Sequence, residues 1–206
     1  MTVGPLDEDY QTIQKAIDQA SWGDIIEVHS GNYTENIRVT KAVTLMGVDT
    51  GNGLPVVIAS GSGSVVTLMA NGTTINGFRL TGSGGCCVDA GIQIQSCNNS
   101  VINNIIVNNK YGVYIKPGYK NNTLIANDFL ENKEAVGGQS GKWGDGCLTV
   151  GSWQKHKNAE NIRSIKGNYY SDYDEPKEGC YDMNIDGICD LPRRAGSFYS
   201  AYNGTY

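Results

Sequence analysis

Basic charge is scarce in this sequence, and the scarcity narrows what the protein can bind. Lysine and arginine number 16 against 21 acidic residues, a net charge of −5 over 206 residues. No basic stripe exists that could neutralise a phosphate backbone, which argues against nucleic acid as a partner. Divalent cations suit such a surface better. Apolar runs are short, and none approaches the roughly 20 residues that cross a bilayer. No basic-then-apolar leader opens the chain, because Thr2 to Tyr10 is acidic and polar. A secreted protein beginning this way is expected to be a mature or trimmed form. Histidine is limited to His29 and His156, in unrelated contexts. No C-x-x-C pair occurs among the six cysteines, Cys86, Cys87, Cys97, Cys147, Cys180 and Cys189. An even set without metal or redox spacing reads as a disulfide set, which places the chain in an oxidising exterior. Five sequons, at Asn32, Asn71, Asn98, Asn121 and Asn203, are candidate glycosylation sites and point the same way.

What the sequence has in abundance is glycine, 27 residues, and asparagine, in runs such as "CNNSVINNIIVNNK". Asp9 to Ala20 reads as a short amphipathic helix. Ile13, Ala16, Ile17 and Ala20 fall at helical spacing, Asp9 is the expected N-cap, and Trp22-Gly23-Asp24 ends it. After it the period changes. Short β-rich runs follow one another: Ile25–Val28, Ile37–Val39, Val43–Met46, Val56–Ile58, Val65–Met69, Thr73–Leu80, Ile92–Ile94, Val101–Val107, Val113–Ile115 and Leu124–Leu130. No helix of useful length intervenes, so a βαβ layout is excluded and a sandwich, barrel or solenoid remains.

Internal repetition chooses among them. "NGTTINGFRLTG" from Asn71, "NNSVINNIIVNN" from Asn98 and "NNTLIANDFLEN" from Asn121 align with Ile75, Ile102 and Ile125 superposed. Gly77, Asn104 and Asn127 follow two residues later, where a corner would need a residue that tolerates left-handed backbone. This predicts an all-β, right-handed parallel β-helix of about six coils with a period near 23 residues. Ile75, Ile102 and Ile125 should form one inward ladder, and Asn104 and Asn127 should stack at a corner. A single domain spans 1–206. It divides into a capping helix at 9–22, regular coils at 25–136, irregular last coils at 137–170 and a Cys- and Asp-rich cap at 171–206.

The opening "DYQTIQKAIDQASWGDIIEVHSGNYTENIRVTKAVTLMGVD" resembles the entry of the carbohydrate-binding and sugar-hydrolase (CASH) type β-helix. The Asn-rich coils and the tail "GNYYSDYDEPKEGCYDMNIDGICDLP" are similar to NosD-type β-helix domains of methanogen cell-surface proteins. The resemblance covers roughly Asp9 to Pro192 and implies an extracellular or cell-surface protein. Tyr170 stands where that tail often has Trp, and the cysteines flanking the aspartate loop are additions.

The sharpest motif is Asp182-Met-Asn184-Ile-Asp186-Gly187-Ile188-Cys-Asp190. Oxygen side chains at alternate positions followed by glycine are what a hard cation wrapped by a loop requires. Asp182, Asn184 and Asp186 would give side-chain oxygens to Ca²⁺, Ile188 a carbonyl, and Asp190 a direct or water-bridged contact. Arg193 stands where an EF-hand has its closing Glu, so one ligand is missing, and Asp172 or Asp174 upstream could complete the shell. Cys180 and Cys189 bracket the loop and could bridge each other, or either could pair with Cys147. Either of Cys86 and Cys87 could reach Cys97.

Catalysis on a β-helix needs clustered acids beside an arginine or histidine. Asp89, Asp128, Glu131 and Glu134, with Arg79, Lys110 or Lys116, fall at unmatched positions in successive coils, and surface charge accounts for them. Soft copper would want clustered Met, Cys or His; Met46, Met69 and Met183 are scattered, and the first two read as core side chains. Tyr111, Tyr114 and Tyr119, with Trp143 and Trp153, could stack on sugars or serve the core and cap. The expectation is therefore a non-catalytic, calcium-stabilised cell-surface module with glycans or envelope proteins as partners. The alternatives are a polysaccharide lyase or hydrolase, a self-assembling envelope subunit, and a periplasmic copper-binding protein.

Overall fold

Strand alternation at period two, broken every five residues by a left-handed corner, shapes the middle of this chain. Corners fall at Gly72, Gly77 and Gly82, then at Asn98, Asn103 and Asn108, then at Asn121, Ala126 and Glu131, all at positive φ. Between corners there is room for about three extended residues, so each strand is short. The computed structural model describes residues 1–5, 8–138, 148–150 and 169–170, and every named strand pair in it is parallel.

Three sheets run along the stack. The first orders β1 (Thr2–Val3), β2 (Ile25–His29), β5 (Thr44–Val48), β8 (Thr74–Asn76), β11 (Ser100–Ile102), β14 (Asn122–Ile125) and β17 (Leu148–Val150). The second orders β3 (Asn32–Thr34), β6 (Val56–Ile58), β9 (Arg79–Thr81), β12 (Ile105–Val107), β15 (Asp128–Leu130) and β18 (Tyr169–Tyr170). The third orders β4 (Ile37–Val39), β7 (Val66–Leu68), β10 (Ala90–Ile94), β13 (Tyr111–Ile115) and β16 (Glu134–Gly138). Each circuit visits the three in turn, which is a parallel β-helix of about six coils, as the repeats require.

The core is a set of vertical ladders. Leu45, Ile75, Val101 and Leu124 stack in register in the first sheet, all buried. Tyr33, Val57, Leu80, Ile106 and Phe129 do so in the second. Burying each such side chain contributes roughly 1.5–3 kcal/mol. The predicted Ile75–Ile102–Ile125 ladder is corrected here. Ile102 pairs with Asn76 and Ile125, and both isoleucines are half-exposed on the outer face. The offset from Thr73 to Asn99 is 26 residues and that from Asn99 to Asn122 is 23, whereas aligning Ile75 with Ile102 takes 27. A one-residue slip moves a side chain to the opposite face. The period itself is uneven, reaching 30 residues between Thr44 and Thr74, because loops of different length leave the corners.

Asn104 and Asn127 do stack, but they are not the left-handed residues. Those are Gly77, Asn103 and Ala126, one position earlier. The residue after each corner points inward, and three asparagine ladders result: Asn99 under Asn122, Asn104 under Asn127, and Asn109 under Asn132. In the middle one, Phe78 N–H donates to Asn104 Oδ1 at 3.0 Å. Asn104 N–H and Nδ2 both donate to Asn127 Oδ1, each at 3.0 Å, and Asn104 Nδ2 also donates to the Ile75 carbonyl at 3.1 Å. Asn127 Nδ2 donates to the Val101 carbonyl at 2.8 Å. Both asparagines are buried with these bonds made, so the amides supply partners that the corner backbone lacks. Gly77 has a second reason to be glycine: a Cβ there would come within 2.8 Å of the Gly47 carbonyl in the coil below.

At the N-terminal end, α1 (Ile13–Gln19) lays Ile13, Ala16 and Ile17 against β1, β2 and β4. The helix is shorter than the predicted span, and its N-cap is Thr12, whose side chain makes no cap bond. The predicted Asp9 cap is thus corrected: Asp9 Oδ2 accepts Thr2 N–H at 2.8 Å instead. Glu35, from the first coil, accepts the free N–H groups of Ile13 and Gln14 at 2.9 and 3.0 Å. Lys41 Nζ donates to the Asp18 and Ala20 carbonyls at the other end, both at 2.7 Å. Both helix ends are therefore closed from the β-helix itself.

Two substitutions separate the roles of neighbouring positions. Asn104→Ala strands the Phe78 N–H inside the stack and should cost about 3 kcal/mol. Ala126→Gly relieves an alanine held at φ +54° and should add about 1 kcal/mol. Urea unfolding of the two variants beside the parent checks both signs.

Candidate functional site

Much of the site predicted from sequence falls on the C-terminal quarter. Asp172, Asp174, Asp182, Asn184, Asp186, Ile188 and Asp190 lie outside the described residues, as do Cys147, Cys180, Cys189, Asn203, Trp143, Trp153, His156 and Met183. The candidates within the coils occupy distinct places on the surface.

Four sequons are described, and the asparagine of each is exposed. Asn32 opens β3 in the second sheet. Asn71, Asn98 and Asn121 share the corner that precedes the first sheet in three successive coils. Asn71 Oδ1 accepts Cys97 N–H at 2.8 Å, and Asn121 Nδ2 donates to Asn98 Oδ1 at 3.2 Å. Adjacent coils are about 4.8 Å apart, so Asn98 and Asn121 form a column at this corner, where Gly72 holds the equivalent place and Asn71 lies one residue before it. Their hydroxyl partners differ: Ser100 and Thr123 are half-exposed, whereas Thr73 is fully buried and donates to the Ala70 carbonyl at 3.1 Å.

The predicted aromatic cluster is split. Tyr114 is only 4% exposed, between Gln93 and Gly137 in the third sheet, and cannot offer a face to a sugar. Tyr119 is half-buried and packs against the core. Tyr111 is half-exposed, 5.1 Å from Tyr114 by ring centroid, with Lys110 Nζ 5.5 Å from its own. Burial first and Glu134 second raise its phenol above the ordinary value. The most exposed aromatic among the described residues is Trp22, at 71%, and Ile25 is 53% exposed. The sequence hides this: Trp22 looks like the end of an amphipathic helix, and only the fold shows that nothing in the first coil covers it.

The acids are dispersed. Asp89 sits in the loop before β10, where its Oδ2 accepts Cys86 N–H at 3.1 Å. Asp128 and Glu134 lie on different sheets, paired with Ile105 and Tyr111 respectively. Glu131 is the exposed corner after β15. Asp128 is the chemically distinctive one, because burial pushes its carboxyl above the usual value. The two described methionines expected in the core are not there. Met46 is half-buried on the outer face of the first sheet, and Met69 is 44% exposed past the end of β7. Alternation gives the inward places to Leu45 and Leu68. His29 is engaged at 2.6 Å between its Nδ1 and Glu8 Oε1. Cys86, Cys87 and Cys97 are unbridged. The five-residue strand β10, about 16 Å long, separates the adjacent pair from Cys97.

A raised carboxylate binds its proton more tightly in the folded state, so its contribution to stability falls as pH rises through the carboxylate range. Asp128→Asn should therefore raise the melting midpoint at neutral pH. The gain should vanish below the ordinary aspartate value, where both forms are neutral. Melting curves from pH 3 to pH 7 (about four units) measure it.

Comparison with known proteins gives this surface its context. A "Cell surface glycoprotein" of Methanothermus fervidus is 36% identical over 105 residues, which is 50% of this chain and 16% of that protein. The chain thus matches about a sixth of that relative's length. A crystal structure of the pectin methylesterase from Aspergillus niger aligns with a TM-score of 0.42 and 16% identity, over 68% of this chain and 67% of that one. A likeness this loose says nothing about activity. Residues 56–175 match the family described as periplasmic copper-binding protein (NosD). That span covers more than half of the sequence and most of the coils, and the chain belongs to the NosD family.

Proposed function

We propose that this chain is a non-catalytic, glycosylated β-helix module of a larger cell-surface protein, acting in envelope structure, adhesion or glycan contact. The observation that carries the reading is the match to a cell surface glycoprotein across half of this chain but a small part of the relative. A stack of coils with exposed sequons is a natural segment of such a protein. Among the described residues, no helix is long and apolar enough to cross a membrane.

Copper, which the family description names, would need soft donors gathered at one point. Met46 lies in β5 and Met69 past the end of β7, His29 is held by Glu8, Cys86 and Cys87 are a pair without a third donor, and no group of three or more His, Cys, Asp or Glu gathers among the described residues. The described donors do not fit copper. Calcium rests on the oxygen spacing of Asp182, Asn184, Asp186, Ile188 and Asp190, with Asp172 or Asp174 in support. In this reading the loop gathers carboxylates whose repulsion the cation relieves, which couples binding to stability at the C-terminal end. With calcium at 100 times its dissociation constant, the gain is about 2.7 kcal/mol. Melting curves in chelator and in excess calcium should show an upward shift that Asp186→Ala removes. An unmoved wild-type midpoint would leave the loop a plain turn.

The rival reading is a polysaccharide-active enzyme centred on Asp128, the half-buried acid of the second sheet. Turnover of polygalacturonate or alginate, lost on Asp128→Ala, would overturn the non-catalytic assignment. A glycan array with and without calcium, run on the parent and on Trp22→Ala, tests glycan contact. Binding weakened by the substitution would place the contact at that exposed ring. For glycosylation, the column of sequons makes a further demand. Asn98 and Asn121 are one coil apart, about 4.8 Å, too close for two branched glycans. Glycopeptide mapping of protein from its native host should find these two occupied in alternation and never together.

A further inference from the structure

The loop between β9 and β10 carries a feature that the proposed function leaves unused. Cys86 and Cys87 are adjacent in sequence, both exposed, with their Sγ atoms 3.1 Å apart. That is about 1 Å longer than a disulfide bond. Several hydrogen bonds to the backbone fix the loop that carries them. Cys86 N–H donates to Asp89 Oδ2 at 3.1 Å, and Asp89 N–H returns to the Cys86 carbonyl at 2.9 Å, closing a turn. Lys110, from the next coil, donates its Nζ to the Cys87 carbonyl at 2.7 Å. Gly84 ties the loop to the coil below through the Gly63 carbonyl at 2.8 Å. Cys87 sits at φ +39°, a conformation a side-chain-bearing residue rarely adopts without tertiary restraint. Cys97, at the far end of β10, is out of range of both.

We propose that Cys86 and Cys87 are a redox-reactive thiol pair that closes reversibly onto itself by exchange with a low-molecular-weight disulfide. The hydrogen bond with Cys87 and the charge of that neighbour hold the Cys86 thiol above its ordinary value, and in this scheme Cys87 attacks first. Its thiolate displaces one sulfur of the external disulfide, which leaves as a thiolate and takes up the proton. The mixed disulfide on Cys87 is then attacked by Cys86, expelling the second small thiolate, which takes the Cys86 proton. Two protein thiols are oxidised to one disulfide, and one external disulfide is reduced to two thiols. Adjacent Cα atoms are about 3.8 Å apart, closer than the 4.4–6.8 Å of ordinary bridges. The closed ring is therefore strained and easily reduced, which suits a responsive site better than a structural staple.

The test uses the full chain, reduced, freed of reductant and then exposed to oxidised glutathione. Free thiols are alkylated before digestion with trypsin. Cleavage after Arg79 and Lys110 gives one peptide that contains Cys86, Cys87 and Cys97 and no other cysteine. The expected product lacks two hydrogens, carries no alkyl group or glutathione on Cys86 or Cys87, and gives no fragment ion between them. In Cys86→Ser the resolving sulfur is gone, so glutathione should remain on Cys87 as a stable adduct. Alkylation of both Cys86 and Cys87, or a bridge from either to any other cysteine, would overturn the proposal. So would a Cys86→Ser protein that never accumulates the adduct.

Discussion

The structure depends on the side-chain amide of asparagine taking over hydrogen bonds that a sharply turning backbone cannot make for itself. At each corner the chain leaves one sheet direction for another, and the peptide groups there fall out of the regular ladder. Buried without partners, each would cost on the order of 1–3 kcal/mol. Asn99, Asn104 and Asn109 each accept a backbone N–H from the coil below, at Thr73, Phe78 and Ser83. Asn122, Asn127 and Asn132 repeat the pattern one coil up. Because every amide bonds to its neighbour in the stack, each coil completes the previous one. The apolar ladders between them supply burial, while the asparagine columns set where the chain turns.

This arrangement frees the outside. With the interior satisfied by repeated side chains, loops can leave a corner at differing length without disturbing the coils they join. The Gly82–Asp89 excursion and the passage between β5 and β6 are such loops, pinned by bonds to adjacent coils. The N-terminal end follows the same logic from the other side. The open edge of the first coil is met by β1 and α1, and the helix termini are closed by Glu35 and Lys41 of the coils.

For function, the important contrast is between a column and a cluster. A β-helix places equivalent residues about 4.8 Å apart along its axis, and here equivalent positions carry amides, hydroxyls and apolar groups. Thr44, Thr74, Ser100 and Thr123 share one outward register in the first sheet, while among the described residues acids do not recur in register. In the proposed reading such a surface serves extended contact or decoration. It accords with membership in the NosD family and with the cell-surface glycoprotein relative.

The sequence alone determined the fold class, the coil count and the presence of a stacked Asn104–Asn127 corner, because solenoid repeats are local: each copy faces the same neighbours and keeps the same residue types. It also indicated the buried face of α1 through Ile13, Ala16 and Ile17. What it could not determine was register. Asn-Asn pairs offer two equivalent alignments one residue apart, and in the fold Asn103 turns while Asn104 stacks and accepts the Phe78 N–H from the coil below. The same ambiguity put Ile102 and Ile125 in the core and Met46 with them, when the parity of the strand sends them outward. Tertiary structure alone exposed Trp22, buried Tyr114 and set Cys86 against Cys87 with Cys97 a strand away. Exposure and proximity of this kind depend on which coil covers which, a relation between residues more than 20 positions apart that no local pattern records.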